Sequence, residues 1–175
     1  MSATSQPPTT TSRRRFDVGD RVVHPRHGAG EVVERRARVV EGNARDYLEI
    51  ELAAASLRIS VPSDATAAVG LRPVAGPARV REIVGVLEAP PESSDRNYSA
   101  RRKDYRARLE TGDVLALAAV IRDLAARAAA SPLPTGERDL YQRSHGVLAS
   151  ELAFALGLDA PDADAFIDEH IEAQR

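Results

Sequence analysis

The hydrophobic period of this chain changes once, near Gly76, and no other feature constrains the fold as tightly. Between Phe16 and about Pro73 the apolar residues come in short runs or alternate with polar ones. DRVVHP (20–25) and GEVVERRARVV (30–40) are valine-rich, and DYLEIEL (46–52) alternates apart from Tyr47. In LRISVP (57–62), Leu57, Ile59 and Val61 oppose Arg58 and Ser60. A period of two is the mark of strands, because successive side chains leave opposite faces. Glu41-Gly42-Asn43-Ala44 supplies a turn, and Gly19, Gly28 and Gly30 suit tight bending. Four or five such strands predict a small curled antiparallel sheet or barrel.

Beyond Gly76 the period is that of helices. Val80, Ile83, Val84 and Leu87 form one stripe, ended by Pro90-Pro91. Ser93, Ser94 and Asp95 offer caps to a second helix, which TGD at 111–113 breaks. Val114, Leu117, Ile121 and Leu124 define a third stripe; Leu140, Val147, Leu148 and Leu152 define a fourth. SPLPTGE (131–137) reads as a linker with Ser131 or Thr135 as a cap, and a last helix from Asp162 to Gln174 is built around Phe166, Ile167 and Ile171. The predicted class is α+β. A disordered tail over 1–15 precedes a β module over 16–75 and a helical bundle over 76–175, with a hinge near 72–78.

Composition removes several function classes. The 175 residues contain no cysteine, which excludes disulfides and cysteine-zinc sites and fits a reducing cytoplasm. No apolar run approaches the roughly 20 residues of a membrane span, and the Ser/Thr/Pro-rich start lacks the apolar core of a secretory signal. His24 and His27 lie three apart. However, Pro25 and Gly28 argue against a helix there, and no acidic cluster completes a ligand set, so no metal is expected. The glycines near 28 do not open a helix or form a phosphate loop. No catalytic constellation is visible, and neither enzymatic activity nor a cofactor is predicted.

Charge, by contrast, is informative. The net formal charge is −2, yet residues 96–108 hold Arg96, Arg101, Arg102, Lys103, Arg106 and Arg108 against Asp104 alone. The end of the chain is acidic, with Glu151, Asp159, Asp162, Asp164, Asp168, Glu169 and Glu172. Such a dipolar chain can hold a polyanion on one face while its average charge is near neutral. At 100° per residue, Arg101, Tyr105 and Arg108 share one side of the basic helix, and Arg102 and Arg106 share another. Few acids lie at i±4 to neutralise them. An aromatic, Tyr98, leads the cluster, and arginines on phosphates beside a ring at a base step are the parts of a minor-groove wedge.

In order and spacing, FDVGDRVVHPRHGAGEV, DYLEIEL, LRISVP, NYSARRKDYRARLETGD and VIRDLA resemble the CarD/CdnL family of bacterial transcription regulators, from about Phe16 to Ile171. The resemblance implies a Tudor-like β-barrel, shared with transcription-repair coupling factors, that binds the RNA polymerase β subunit. It also implies a helical module that contacts promoter DNA at the upstream edge of the bubble and stabilises the open complex. The family's polymerase-contacting arginines fall on Arg38 and Ser60; Arg58, two residues before Ser60 and so on the same strand face, can substitute. The family's wedge tryptophan falls on Tyr98, which keeps a flat ring but lacks the indole N–H. The arginine after it falls on Ala100. The implied DNA contacts are Tyr98, Arg101, Arg102, Lys103 and Arg106. The expected protein is thus a cytoplasmic, non-catalytic monomer whose partners are RNA polymerase and promoter DNA, without a membrane role. The alternative is a protein–protein adaptor with no direct DNA function.

Overall fold

The computed structural model describes residues 16–53, 57–92 and 97–172. The expected tail over 1–15 and the expected caps at 93–95 lie outside them. Five strands come first: β1 (Arg21–His24), β2 (Gly28–Val40), β3 (Asn43–Leu52), β4 (Leu57–Pro62) and β5 (Arg72–Pro73). They form one antiparallel sheet in the order β4-β3-β2-β1-β5. The chain is α+β as expected. The barrel is not closed, because β4 and β5 stay at opposite edges with no ladder between them among the described residues.

The sheet turns one face to a common apolar cluster of Phe16, Val22, Val32, Leu48, Ile50, Leu52, Val61 and Leu71. Period-two alternation puts Leu48, Ile50 and Leu52 inside and Tyr47, Glu49 and Glu51 outside. β2 and β3 join through Glu41 and Gly42, both at positive φ (52° and 79°), as a two-residue hairpin turn requires. The β2–β3 register shifts between Val32 and Glu34. This bulge inverts the parity of β2, so Val32 faces Ile50 inside whereas Glu34, Arg36 and Arg38 pair with Glu49, Tyr47 and Arg45 on the outer face.

Five helices follow: α1 (Pro77–Leu87), α2 (Tyr98–Glu110), α3 (Val114–Ala130), α4 (Thr135–Leu156) and α5 (Ala160–Glu172). α3 is the central one and packs against α1, α2 and α4. The main core joins Val80, Ile83 and Leu87 of α1 to Leu117 and Ile121 of α3, Leu148 and Leu152 of α4, and Ile167 and Ile171 of α5. The sequence 131–137 is only partly a linker. α4 already begins at Thr135 behind Pro134, with no side-chain cap, and Ser131 ends α3.

The expected hinge near 72–78 is pinned at two points. Arg72 reaches the fully buried Glu151 of α4 with both guanidinium NH groups, at 2.5 and 2.7 Å, and the Ala75 N–H donates to the same carboxylate at 3.0 Å. Nearby, the Ala29 N–H donates to Ser150 Oγ at 2.9 Å. Gly28, at φ +84°, lets α4 approach this closely, since a Cβ there would sit 2.5 Å from Ser150 Oγ. The sheet and the helices therefore meet through satisfied, partly buried polar contacts.

Candidate nucleic-acid and protein interfaces

The second helix is anchored by its cap and by buried charge. Asn97 Oδ1 accepts from the N–H groups of Ser99 (2.8 Å) and Ala100 (3.3 Å), fixing the first turn with Tyr98 at its start. The side that the helical wheel groups as Arg101, Tyr105 and Arg108 is the inner one. Tyr105 packs with Val120 and Leu124 of α3. Arg101 is only 5% exposed and donates to the fully buried Glu137 at 2.9 and 2.8 Å, while Glu137 also accepts from Arg127 at 3.4 Å. Arg108 pairs with the buried Asp123 at 3.0 Å. Burial works against the Arg108 charge, but the bond to Asp123 and the charges of Asp123, Glu92 and Asp104 outweigh it and raise its pKa. Arg101, expected as a DNA contact, is therefore buried and turned inward, with its guanidinium bonded to Glu137.

The other side of α2 carries Tyr98, Arg102 and Arg106 at i, i+4 spacing, one above another, with Lys103 beside them. Lys103 and Arg106 are exposed, and Arg102 and Tyr98 are half-buried. Among the described residues no carboxylate pairs with Arg102, Lys103 or Arg106. The Tyr98 ring lies 6.0 Å from the Arg101 guanidinium carbon. Its hydroxyl sits over Gly136, where a Cβ would come within 2.5 Å of it and 3.6 Å of the Arg102 guanidinium. The ring therefore rests on the first turn of α4, between two arginines, and Gly136 makes the room.

A second polar face lies on the outside of the sheet. Arg38 donates to Glu49 Oε1 at 2.7 Å, Ser60 Oγ bonds the same oxygen, and the Arg38 guanidinium lies 5.4 Å from the Tyr47 ring centre. Arg58 is paired with Glu51 at 3.5 Å, one cross-strand step along. The bulge in β2 brings Arg38 to this face, which thus holds Arg38, Arg58 and Ser60 together. Glu49 and Tyr47, which organise it, were not singled out by sequence; nor were Gly136 and Glu137, hidden in a stretch that reads as linker. Among the described residues no group of three or more His, Asp or Glu could hold a metal, and no helix is long and apolar enough to cross a membrane.

The two halves match different family models. Residues 16–75 match the CarD-like/TRCF RID domain, and residues 82–168 match the CarD C-terminal domain. The chain belongs to the CarD family, a family of transcription regulators. It is also similar to the Putative transcription factor YdeB of Bacillus subtilis (strain 168), with 24% identity over 153 residues, covering 86% of this chain and 99% of that protein. Proteins of this family act as regulatory factors rather than as enzymes.

Proposed function

We propose that this chain is an RNA polymerase-binding transcription regulator whose two faces divide the work. The sheet face with Arg38, Arg58 and Ser60 contacts the polymerase β subunit. The α2 face with Tyr98, Arg102, Lys103 and Arg106 contacts promoter DNA at the upstream edge of the bubble and alters open-complex stability. The observation that carries this reading is the uncompensated ladder on α2. Arg101 and Arg108 are neutralised by buried acids, whereas Lys103 and Arg106 are exposed and Arg102 is half-buried beside an aromatic ring, none of the three paired with a carboxylate among the described residues. Phosphate contacts of this kind position a protein on DNA, and a ring at a base step couples it to deformation. Tethering to polymerase raises the effective DNA concentration, so weak intrinsic binding suffices.

Co-purification with the β subunit tests the sheet face. Charge reversal of Arg38 and Arg58 together should abolish binding while the helices stay folded; retained binding would place the interface elsewhere. The adaptor reading draws on the exposed Val39 and Val40 at the hairpin end of β2, which suit a protein partner. A DNA pull-down at two salt concentrations separates the two, because an adaptor shows no salt-sensitive DNA retention.

A further inference from the structure

The basic ladder on α2 does not end at Arg106. It runs into a groove of about 800 Å³ where the β1–β2 turn, α2 and α4 meet, lined among others by Arg26, Arg106 and Arg143. Arg26 comes from the sheet half and Arg143 from α4, so the groove crosses the seam between the two family modules. Its charges are not cancelled locally. Arg26, Arg106 and Arg143 are all exposed, and none pairs with a carboxylate among the described residues. Arg143 Nε donates to the Asp139 carbonyl of its own helix, leaving its NH groups free to turn outward. Two acids also line the groove. Asp113 is occupied by Arg79 and by the Leu115 N–H, which leaves Glu110 as the counter-charge. Arg72, also in the lining, is committed to Glu151. At the turn, burial, and then the neighbouring His27 and Arg26, hold His24 below its ordinary pKa.

Distance favours nucleic acid as the occupant. From Tyr98 to Arg106 is eight residues, or about 12 Å along the helix axis, which corresponds to three or four base pairs at ~3.4 Å each. A duplex entered at Tyr98 and tracked by Arg102 and Arg106 therefore reaches this groove within half a turn. The polar seam described above, from Ala29–Ser150 to Arg72–Glu151, keeps Arg26 at a fixed place relative to α2 and α4. We propose that the groove holds the phosphate backbone of the duplex flanking the base step at Tyr98, with Arg26 of the sheet half and Arg143 of α4 as phosphate contacts beside Arg106. This rests on the DNA reading of α2 and extends it to the sheet half, which then touches DNA as well as polymerase.

The test uses the full chain and a fluorescent 30-base-pair duplex, with affinity measured by anisotropy between 50 and 200 mM salt. Arg26→Gln and Arg143→Gln should each weaken binding irrespective of duplex sequence and lower the logarithmic salt slope by about one. Raising salt across that range should then cost each variant about 3.5-fold less affinity than it costs the wild type. Both residues are exposed, so melting temperatures should match the wild type. Unchanged slopes in these two variants, with a lowered slope in Arg102→Gln, would overturn the groove and leave the α2 reading standing. No salt-dependent binding by the wild type would overturn both. If Arg26→Gln instead loosens the β subunit in the absence of DNA, the occupant is protein and the proposal is wrong.

Discussion

Tyr98 is held where it is by contacts small enough to give up. Its ring lies beside Arg101 and its hydroxyl covers Gly136. A cation–π contact contributes about 0.5–1 kcal/mol when exposed and about 2 when desolvated, no more than the few kcal/mol involved in unstacking a base step. Side-chain rotation can therefore carry the ring from α4 towards DNA while the Arg101–Glu137 pair stays intact. Gly136→Ala tests this. The new Cβ crowds only the far end of a flexible side chain, and alanine favours the helix by up to about 1 kcal/mol. The melting temperature should hold or rise, and the open promoter complex should last longer because the ring is already displaced. A shorter lifetime would mean that the ring acts from its resting place. His24 makes a separate prediction about pH. Its Nδ1 accepts the Arg26 N–H at 3.1 Å, which needs that nitrogen unprotonated, and burial further disfavours charge. The folded pKa lies below the unfolded value of about 6.5, so this contribution is fully present above pH 6.5 and is lost as pH falls through the lower, folded value. Thermal melts should show the wild type losing more stability than His24→Gln between pH 7 and 5.

At the scale of the element, α2 differs from the other helices in what holds it. α1, α3 and α5 bury regular apolar stripes, whereas the buried residues of α2 are Arg101 and Tyr105. Its attachment depends on Arg101–Glu137 and Arg108–Asp123, with both acids buried. Removing one partner of a buried pair leaves an uncompensated charge and typically costs about 3–5 kcal/mol. Glu137→Gln should therefore lower the melting temperature by on the order of 10 °C, as read by calorimetry. A change of a degree or less would mean that solvent already screens the pair. The same contrast explains what could be read in advance. The stripes Val80/Ile83/Leu87 and Val114/Leu117/Ile121 were legible because apolar spacing reports burial directly. The wheel also separated Arg101, Tyr105 and Arg108 from Arg102 and Arg106. Which side turns inward was set by Glu137 and Asp123, acids distant in sequence that no local pattern ties to α2. In the sheet, alternation revealed β3 and β4. The extra residue near Val33, which re-aims Arg38, carries no such signal, and the two residues of β5 are too few to show a period.

At the scale of the whole molecule, Glu151 sets how the two faces are held relative to each other. Its carboxylate, fully buried, joins Arg72 and Ala75 to α4, so a satisfied ionic contact, beside the Ala29–Ser150 bond, helps position the sheet on the helices. Arg72→Ala leaves that carboxylate without its ion partner and should cost about 3 kcal/mol. Calorimetry should then resolve separate transitions for the sheet and the helices, and the polymerase-bound protein should lose its effect on the promoter even though Arg38 and Tyr98 are intact. A single unaltered transition would show that other contacts fix the seam. The central claim is that a polymerase-anchored α2 face acts on melted DNA. A ligand stabilises one state only by its differential affinity for it, and ~1.4 kcal/mol changes an open-to-closed ratio about tenfold. The lifetime of the open complex, measured with polymerase and competitor DNA, tests this most directly. Tyr98→Ala should shorten the lifetime towards that of polymerase alone, with β-subunit binding unchanged and the melting temperature within a few degrees of wild type, and Tyr98→Trp should lengthen it. Equal lifetimes for wild type and Tyr98→Ala, or a loss that merely follows unfolding of Tyr98→Ala, would contradict it.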